Sequence, residues 1–310
     1  MIMEAPMKAA KLALAISLLT AGSAFAEPTL YGKANVSFQA VSEDDNDTTE
    51  VKSNASRIGI KGTEKLEGGL EVVYQAEFEV QFDDGNDKNG ETFSQRNIFL
   101  GLKGDFGMVR AGRFDTPLKT AQKKVDLFND LEGDIKNVLT DNDIRADNIT
   151  EYASPKLGDV NVKVALVSSE DENTDNGVSM SVNYDTKNLY LAAAFDSGVK
   201  GEDRDTLRLV AQYKVGQFQL GALVEQQEEG NVDKDGWMLS GQYKINKIAL
   251  KAQAGKSDIE KQDATAFNLG VDYKLSKKFK TFAYFSTNEW MDGAADIENR
   301  YLGVGAELKF

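Results

Sequence analysis

The sequence contains no histidine and no cysteine, and only four of its 310 residues are proline. Without cysteine there is no disulfide framework and no thiolate metal site; without histidine the commonest general base and zinc ligand are missing. No grouping of nucleophile, base and orienting residue is legible, so no enzyme activity, cofactor or bound metal is expected. Long apolar runs are scarce too. The one stretch apolar enough to interest a bilayer covers residues 12–21, after Lys8 and Lys11 and before Ala24-Phe25-Ala26. At about ten residues it falls short of the roughly 20 needed to span as a helix. It reads as a secretory signal peptide cut after Ala26, giving a leader at 1–26 and a mature chain at 27–310. Glu4 is unusual in a basic leader, which leaves Met1 and Met7 both open as the start.

Basic residues are outnumbered, 36 against 50 acidic. Removing Lys8, Lys11 and Glu4 with the leader leaves 34 against 49, a net charge of −15. So acidic a chain is not drawn to phosphate backbones, and nucleic acid is not expected as a partner. With 28% charged residues and a mean hydropathy of −0.42, a bundle of membrane helices is excluded. A membrane barrel is not, because each of its strands is only half apolar.

What the chain does have is repetition. Tyr184, Tyr213, Tyr243 and Tyr273 are 29, 30 and 30 residues apart, each followed by a short polar turn. A period of this size marks a closed or stacked array of one unit, here a long β-hairpin. Within the hairpins the sequence alternates with period two. Leu30, Gly32, Ala34, Val36 and Phe38 form one face of the first segment and Tyr31, Lys33, Asn35, Ser37 and Gln39 the other. Leu70 to Val80, Leu207 to Tyr213 and Ile248 to Ala254 repeat the pattern, one face apolar and one polar.

Seven short turns fall near 65–69, 105–107, 154–159, 185–188, 214–217, 244–247 and 275–278. Eight longer polar connections are expected at 40–54, 82–92, 116–148, 169–176, 197–204, 227–235, 256–263 and 287–299. Fifteen connections join sixteen strands. A soluble sandwich or propeller would use strands of about five to six residues, whereas these run to about ten, the length that crosses a bilayer at a tilt. The fold class expected is all-β, a sixteen-stranded antiparallel transmembrane barrel. Closure removes edges that lipid cannot satisfy, and sixteen strands enclose an aqueous channel rather than a packed core. Trp237 and Trp290 near loop junctions, with the tyrosines near turns, fit two interfacial aromatic girdles.

Four blocks go further: ASRIGIKG at 55–62, VRAGRFDTP at 109–117, KKVDLFND at 123–130 and YASP at 152–155. In this order and spacing they resemble the Gram-negative general diffusion porins, in particular the neisserial-like trimeric branch, over essentially the whole mature chain. The resemblance implies an outer-membrane homotrimer embedded among lipid and lipopolysaccharide, a third loop folded into the barrel, and a terminal Phe310 used as an assembly signal. It also implies passive diffusion of small hydrophilic solutes and ions. A substrate-specific porin and an adhesin or receptor barrel without an open pore are the rival readings.

The segment at 116–148 is far longer than connections usually are. Its Leu118, Val125, Leu127, Phe128, Leu131, Ile135, Val138 and Leu139 suit contact with a wall. Its carboxylates Asp126, Asp130, Glu132 and Asp134 are the expected acidic side of a constriction. Arg57 and Lys61, alternating with Ile58 and Ile60, and Arg110, opposite Val109 and Ala111, are expected on a basic wall. Parity groups Arg96 with outward Ile98, Leu100 and Leu102; only the resemblance brings it into the lumen. For each arginine a rim ion pair contributing under about 1 kcal/mol is the alternative. The acidic runs at 43–47, 83–87, 170–172 and 202–205 lack calcium-loop spacing and read as solvated outer loops, with weak bridging of divalent cations to lipopolysaccharide as the alternative. From the loop acids a mild cation selectivity is expected.

Overall fold

The computed structural model describes residues 27–43, 46–86, 89–123 and 125–310; the leader lies outside the described residues. The strands are β1 (Thr29–Glu43), β2 (Asn46–Ser53), β3 (Arg57–Lys65), β4 (Glu71–Val80), β5 (Phe93–Gly104), β6 (Gly107–Asp115), β7 (Arg145–Ala153), β8 (Val160–Val167), β9 (Gly177–Asp185), β10 (Leu189–Ser197), β11 (Arg204–Val215), β12 (Phe218–Glu229), β13 (Val232–Ile245), β14 (Ile248–Ser257), β15 (Gln262–Lys274), β16 (Phe279–Asp292) and β17 (Ala295–Lys309). β2 and β3 are two halves of one stave. Both pair antiparallel with β1, Val36 opposite Ser53 and Lys33 opposite Arg57. Two residues of β1 thus face three on the other side, a β-bulge at Asn54 to Ser56 that the Ser56 hydroxyl stitches to Asn35. The count is sixteen staves, and β17 pairing with β1 closes them into an antiparallel barrel.

Exposure runs opposite to that of a soluble protein. Leu220, Leu239 and Leu250 are 52%, 55% and 47% exposed, while inward Arg208 and Gln227 are fully buried and Gln253 is 2% exposed. Apolar residues face out and polar ones in, the arrangement that lipid outside and water inside select. No helix among the described residues is long and apolar enough to cross a membrane. The crossing is made by strands, each stave paired with a neighbour on both sides around the closed circle.

All seven short turns lie where the sequence puts them. Several longer connections do not. β1 runs to Glu43 and β2 starts at Asn46, β12 and β13 stay paired to Glu229 and Val232, and β16 and β17 to Asp292 and Ala295. Segments expected as loops at 40–54, 227–235 and 287–299 are therefore mostly paired strand, and β1 and β17 reach 15 residues each. Beyond the apolar band neither strand face meets lipid, so the alternation stops while the backbone ladder continues. Trp237 is exposed beside Leu239, as a girdle residue should be. Trp290 is not. It shares the parity of buried Asn288 and Ser286, packs inward against the loop's apolar cluster and lies 5.6 Å from the Lys261 ammonium.

The candidate constriction and its family

Residues 116–144 connect β6 to β7 through the barrel interior. The connection opens on a five-residue helix, α1 (Pro117–Ala121), with Pro at the first turn and the Thr116 hydroxyl accepting the Lys119 N–H at 3.2 Å. Leu118, Val125, Ile135, Val138 and Leu139 are buried against inward Tyr190, Ala192, Val210, Leu223 and Met238. The inner wall is cut away to receive them. A Cβ at Gly270 would sit 2.9 Å from the Phe128 ring, one at Gly221 2.8 Å from Val125, and one at Gly255 2.5 Å from Leu139. Polar ties complete the seat. Ser240 donates to the Val125 carbonyl at 2.6 Å, Gln253 accepts the Leu127 N–H at 2.8 Å, and Asn288 donates to the Glu132 carbonyl at 3.2 Å. Farther along, Arg208 is fully buried between Glu225 and Asp143, the latter at 2.8 Å, and the Thr140 hydroxyl donates to Glu225 at 2.5 Å.

The four loop carboxylates divide into two pairs. Asp126 accepts the Phe128 and Ile135 N–H groups at 2.9 and 3.2 Å, and Asp134 accepts those of Asp130 and Lys136 at 2.9 and 3.1 Å. Both turn into the loop and fix its shape. Burial pushes both above the usual carboxylate range, and for Asp126 the neighbouring Asp134 carboxylate adds to this. Asp130 and Glu132 reach the barrel wall. Asp130 meets Lys33 at 2.5 Å and Arg57 at 3.0 Å, while Glu132 pairs with Lys52 and accepts from Gln39 at 2.8 Å. Burial alone would raise Asp130, but Lys33 and Arg57 outweigh it and hold the carboxyl below its ordinary value.

Of the basic residues singled out in the sequence, Arg57 and Arg96 come together around Glu77, at 3.8 and 2.9 Å, and Arg96 also pairs with Glu79. Arg96 faces the lumen because β5 carries a bulge: Ala76 pairs with Ile98 but Phe78 with Gln95. One extra residue on β5 inverts its parity, which simple alternation could not register. Arg110 also points inward, yet it stands apart from the loop acids, 2.9 Å from Glu151 and with its guanidinium 3.9 Å from the Phe114 ring centroid. Lys61 lies over the Tyr31 ring at 4.8 Å, outside the network. Lys33, Lys52, Glu77 and Glu79 complete the network and were not singled out. The only sequence signal of Lys33, Glu77 and Glu79 was membership of polar strand faces, and Lys52 had none, because it falls in the stretch at 40–54 expected as a loop. Phe310 sits at the closing seam, exchanging backbone hydrogen bonds of 3.0 and 3.1 Å with Gly32 and laying its ring over that glycine.

A barrel of sixteen staves, apolar outside and polar inside with a loop seated in its lumen, matches the Gram-negative porin sequence family over residues 12–290. The chain belongs to the Gram-negative porins. Among the relatives of this porin is outer membrane porin protein 32 of Delftia acidovorans, 30% identical over 247 residues, covering 71% of this chain and 70% of the relative. The major outer membrane protein P.IB of Neisseria sicca is 36% identical over 129 residues, covering 39% of this chain and 35% of the relative. Among solved structures, the anion-selective porin from Comamonas acidovorans superposes with a TM-score of 0.76 at 24% identity, covering 91% of this chain and 99% of its own. The trimer form of OmpT from Vibrio cholerae gives 0.65 at 18% identity, covering 91% of this chain and 99% of its own. The porin is an outer-membrane channel protein, and its short turns mark the periplasmic end.

Proposed function

We propose that this porin is a homotrimeric channel for passive diffusion of small hydrophilic solutes and ions, with weak ionic selectivity at its narrowest section. The observation that carries the selectivity is the charge balance. Lys33, Lys52, Arg57 and Arg96 face Asp130, Glu132, Glu77 and Glu79 in mutual ion pairs, four cations against four anions. The mild cation preference expected from the loop acids lacks support. Two of those acids turn into the loop, the other two are neutralised, and the structurally similar porin from Comamonas acidovorans is anion-selective.

The test is conductance and reversal potential in planar bilayers under a KCl gradient. The parent channel should conduct and show a reversal potential near zero. Asp130→Asn combined with Glu132→Gln leaves two wall cations unmatched. A charge about 4 Å from the path is worth about 1 kcal/mol even in bulk water, about fivefold in relative permeability, so the variant should turn anion-selective. A silent bilayer would overturn the pore reading. An unchanged reversal potential in the variant would overturn the constriction.

A further inference from the structure

Beneath the seated loop, at the short-turn end, lies a basin of about 440 Å³ whose lining has a charge opposite to that of the chain. Eight lysines line it against only three carboxylates, Asp126, Asp272 and Glu307. Asp126 is spent inside the loop. Asp272 is shared by Lys251 and Lys280, each at 3.0 Å, and Glu307 is paired with Lys309 at 3.2 Å. Lys274, Lys277 and Lys278 have no side-chain partner among the described residues. Lys274 ends β15, and Lys277 and Lys278 stand on the turn to β16, which is tied by N–H groups of Leu275 and Ser276 to the Phe279 carbonyl, both 3.0 Å. The Ser276 hydroxyl accepts the Lys278 and Phe279 N–H groups at 3.2 and 3.0 Å. Three lysines without side-chain partners thus stand on or beside a closed turn at the rim of the cavity, and Lys251 and Lys280 share a single carboxylate on its wall.

We propose that this basin is a subsite for multivalent oxyanions, the class that includes phosphate esters and polycarboxylates. The proposal rests on the open-pore reading above and goes beyond it. A monovalent anion meets one ammonium at a time; an anion with several charged oxygens engages several at once and displaces their counterions together. The opposite mouth carries acidic hairpin ends, such as Glu228 at the end of β12 and Asp233 and Asp235 at the start of β13, with Glu229 beside them paired to Arg204 and Lys234. The fixed charge therefore changes sign along the axis, and a multivalent anion is held preferentially from the lysine side.

The experiment uses the purified full-length protein in phosphatidylcholine bilayers, whose zwitterionic headgroups offer no competing net anion. Inorganic tripolyphosphate is added to one chamber and then the other in KCl. The chain has no native cysteine. A single Asp233→Cys variant, blocked by an impermeant thiol reagent from one chamber only, therefore assigns each channel's orientation. Tripolyphosphate should reduce conductance from the short-turn side at concentrations at least tenfold lower than from the other side. In the variant combining Lys274→Gln, Lys277→Gln and Lys278→Gln that difference should fall to twofold or less, with KCl conductance retained. Equal block from both sides, or a triple variant blocked like the parent, overturns the subsite while the KCl conductance leaves the pore reading standing. Absence of conductance in the parent overturns both.

Discussion

Asp130 shows how one carboxylate ties charge to loop position. Its pKa in the seated loop lies below the free value of about 3.9, so it stabilises seating at every pH above that value. The contribution is lost as pH falls through the lowered value. Asp126 and Asp134 titrate in the opposite sense: raised by burial, they protonate first on acidification, and doing so relieves buried charge rather than releasing the loop. Single-channel current should therefore be steady from neutral pH down to about 4 and become noisy below it as the tip detaches. Asp130→Asn should be noisy already at pH 7. A parent channel that becomes noisy in the range where Asp126 and Asp134 protonate would assign the tether to the wrong pair.

At the scale of elements, the loop is held by shape as much as by charge. Gly221, Gly255 and Gly270 on the inner wall leave room for Val125, Leu139 and Phe128, and a side chain at any of them occupies the loop's place. Overpacking of this kind costs about 1–3 kcal/mol and is relieved by moving the more weakly tethered partner, the loop. Gly270→Val should push Phe128 toward the channel axis and lower single-channel conductance. Gly241→Val, where the nearest neighbour is Leu220 at 3.9 Å on the lipid face, should leave conductance unchanged. The loop's interior position was legible from its length and its apolar residues. Its glycine seats were not, because nothing in the local sequence marks which wall glycine meets which loop side chain.

For the whole molecule, two expectations concern assembly. The outward face of β1, with Gly32, Ala34 and Val36 between exposed Leu30 and Phe38, offers a small-residue surface for neighbouring subunits around a three-fold axis. Native mass measurement in detergent should return three copies, and a monomer alone would remove that surface as a subunit contact. Phe310 hydrogen-bonds to Gly32 at the seam where the last stave meets the first. Deleting it removes two of the closing backbone bonds, and outer-membrane yield should fall sharply, with unassembled chain left in the periplasm. Normal yield of the deletion would make the terminal aromatic dispensable.

The sequence by itself determined the barrel, its sixteen staves and its short-turn end, because alternation and turn chemistry are local and repeat along the whole chain. It also marked the loop that enters the lumen. Only the tertiary structure decided what the charges do. The bulge in β5 turned Arg96 inward, the loop's own N–H groups claimed Asp126 and Asp134, and strands distant in sequence brought Lys33 and Lys52 to the remaining acids. Electrostatic pairing depends on distance in space, and closing the barrel sets those distances between residues that the chain keeps far apart.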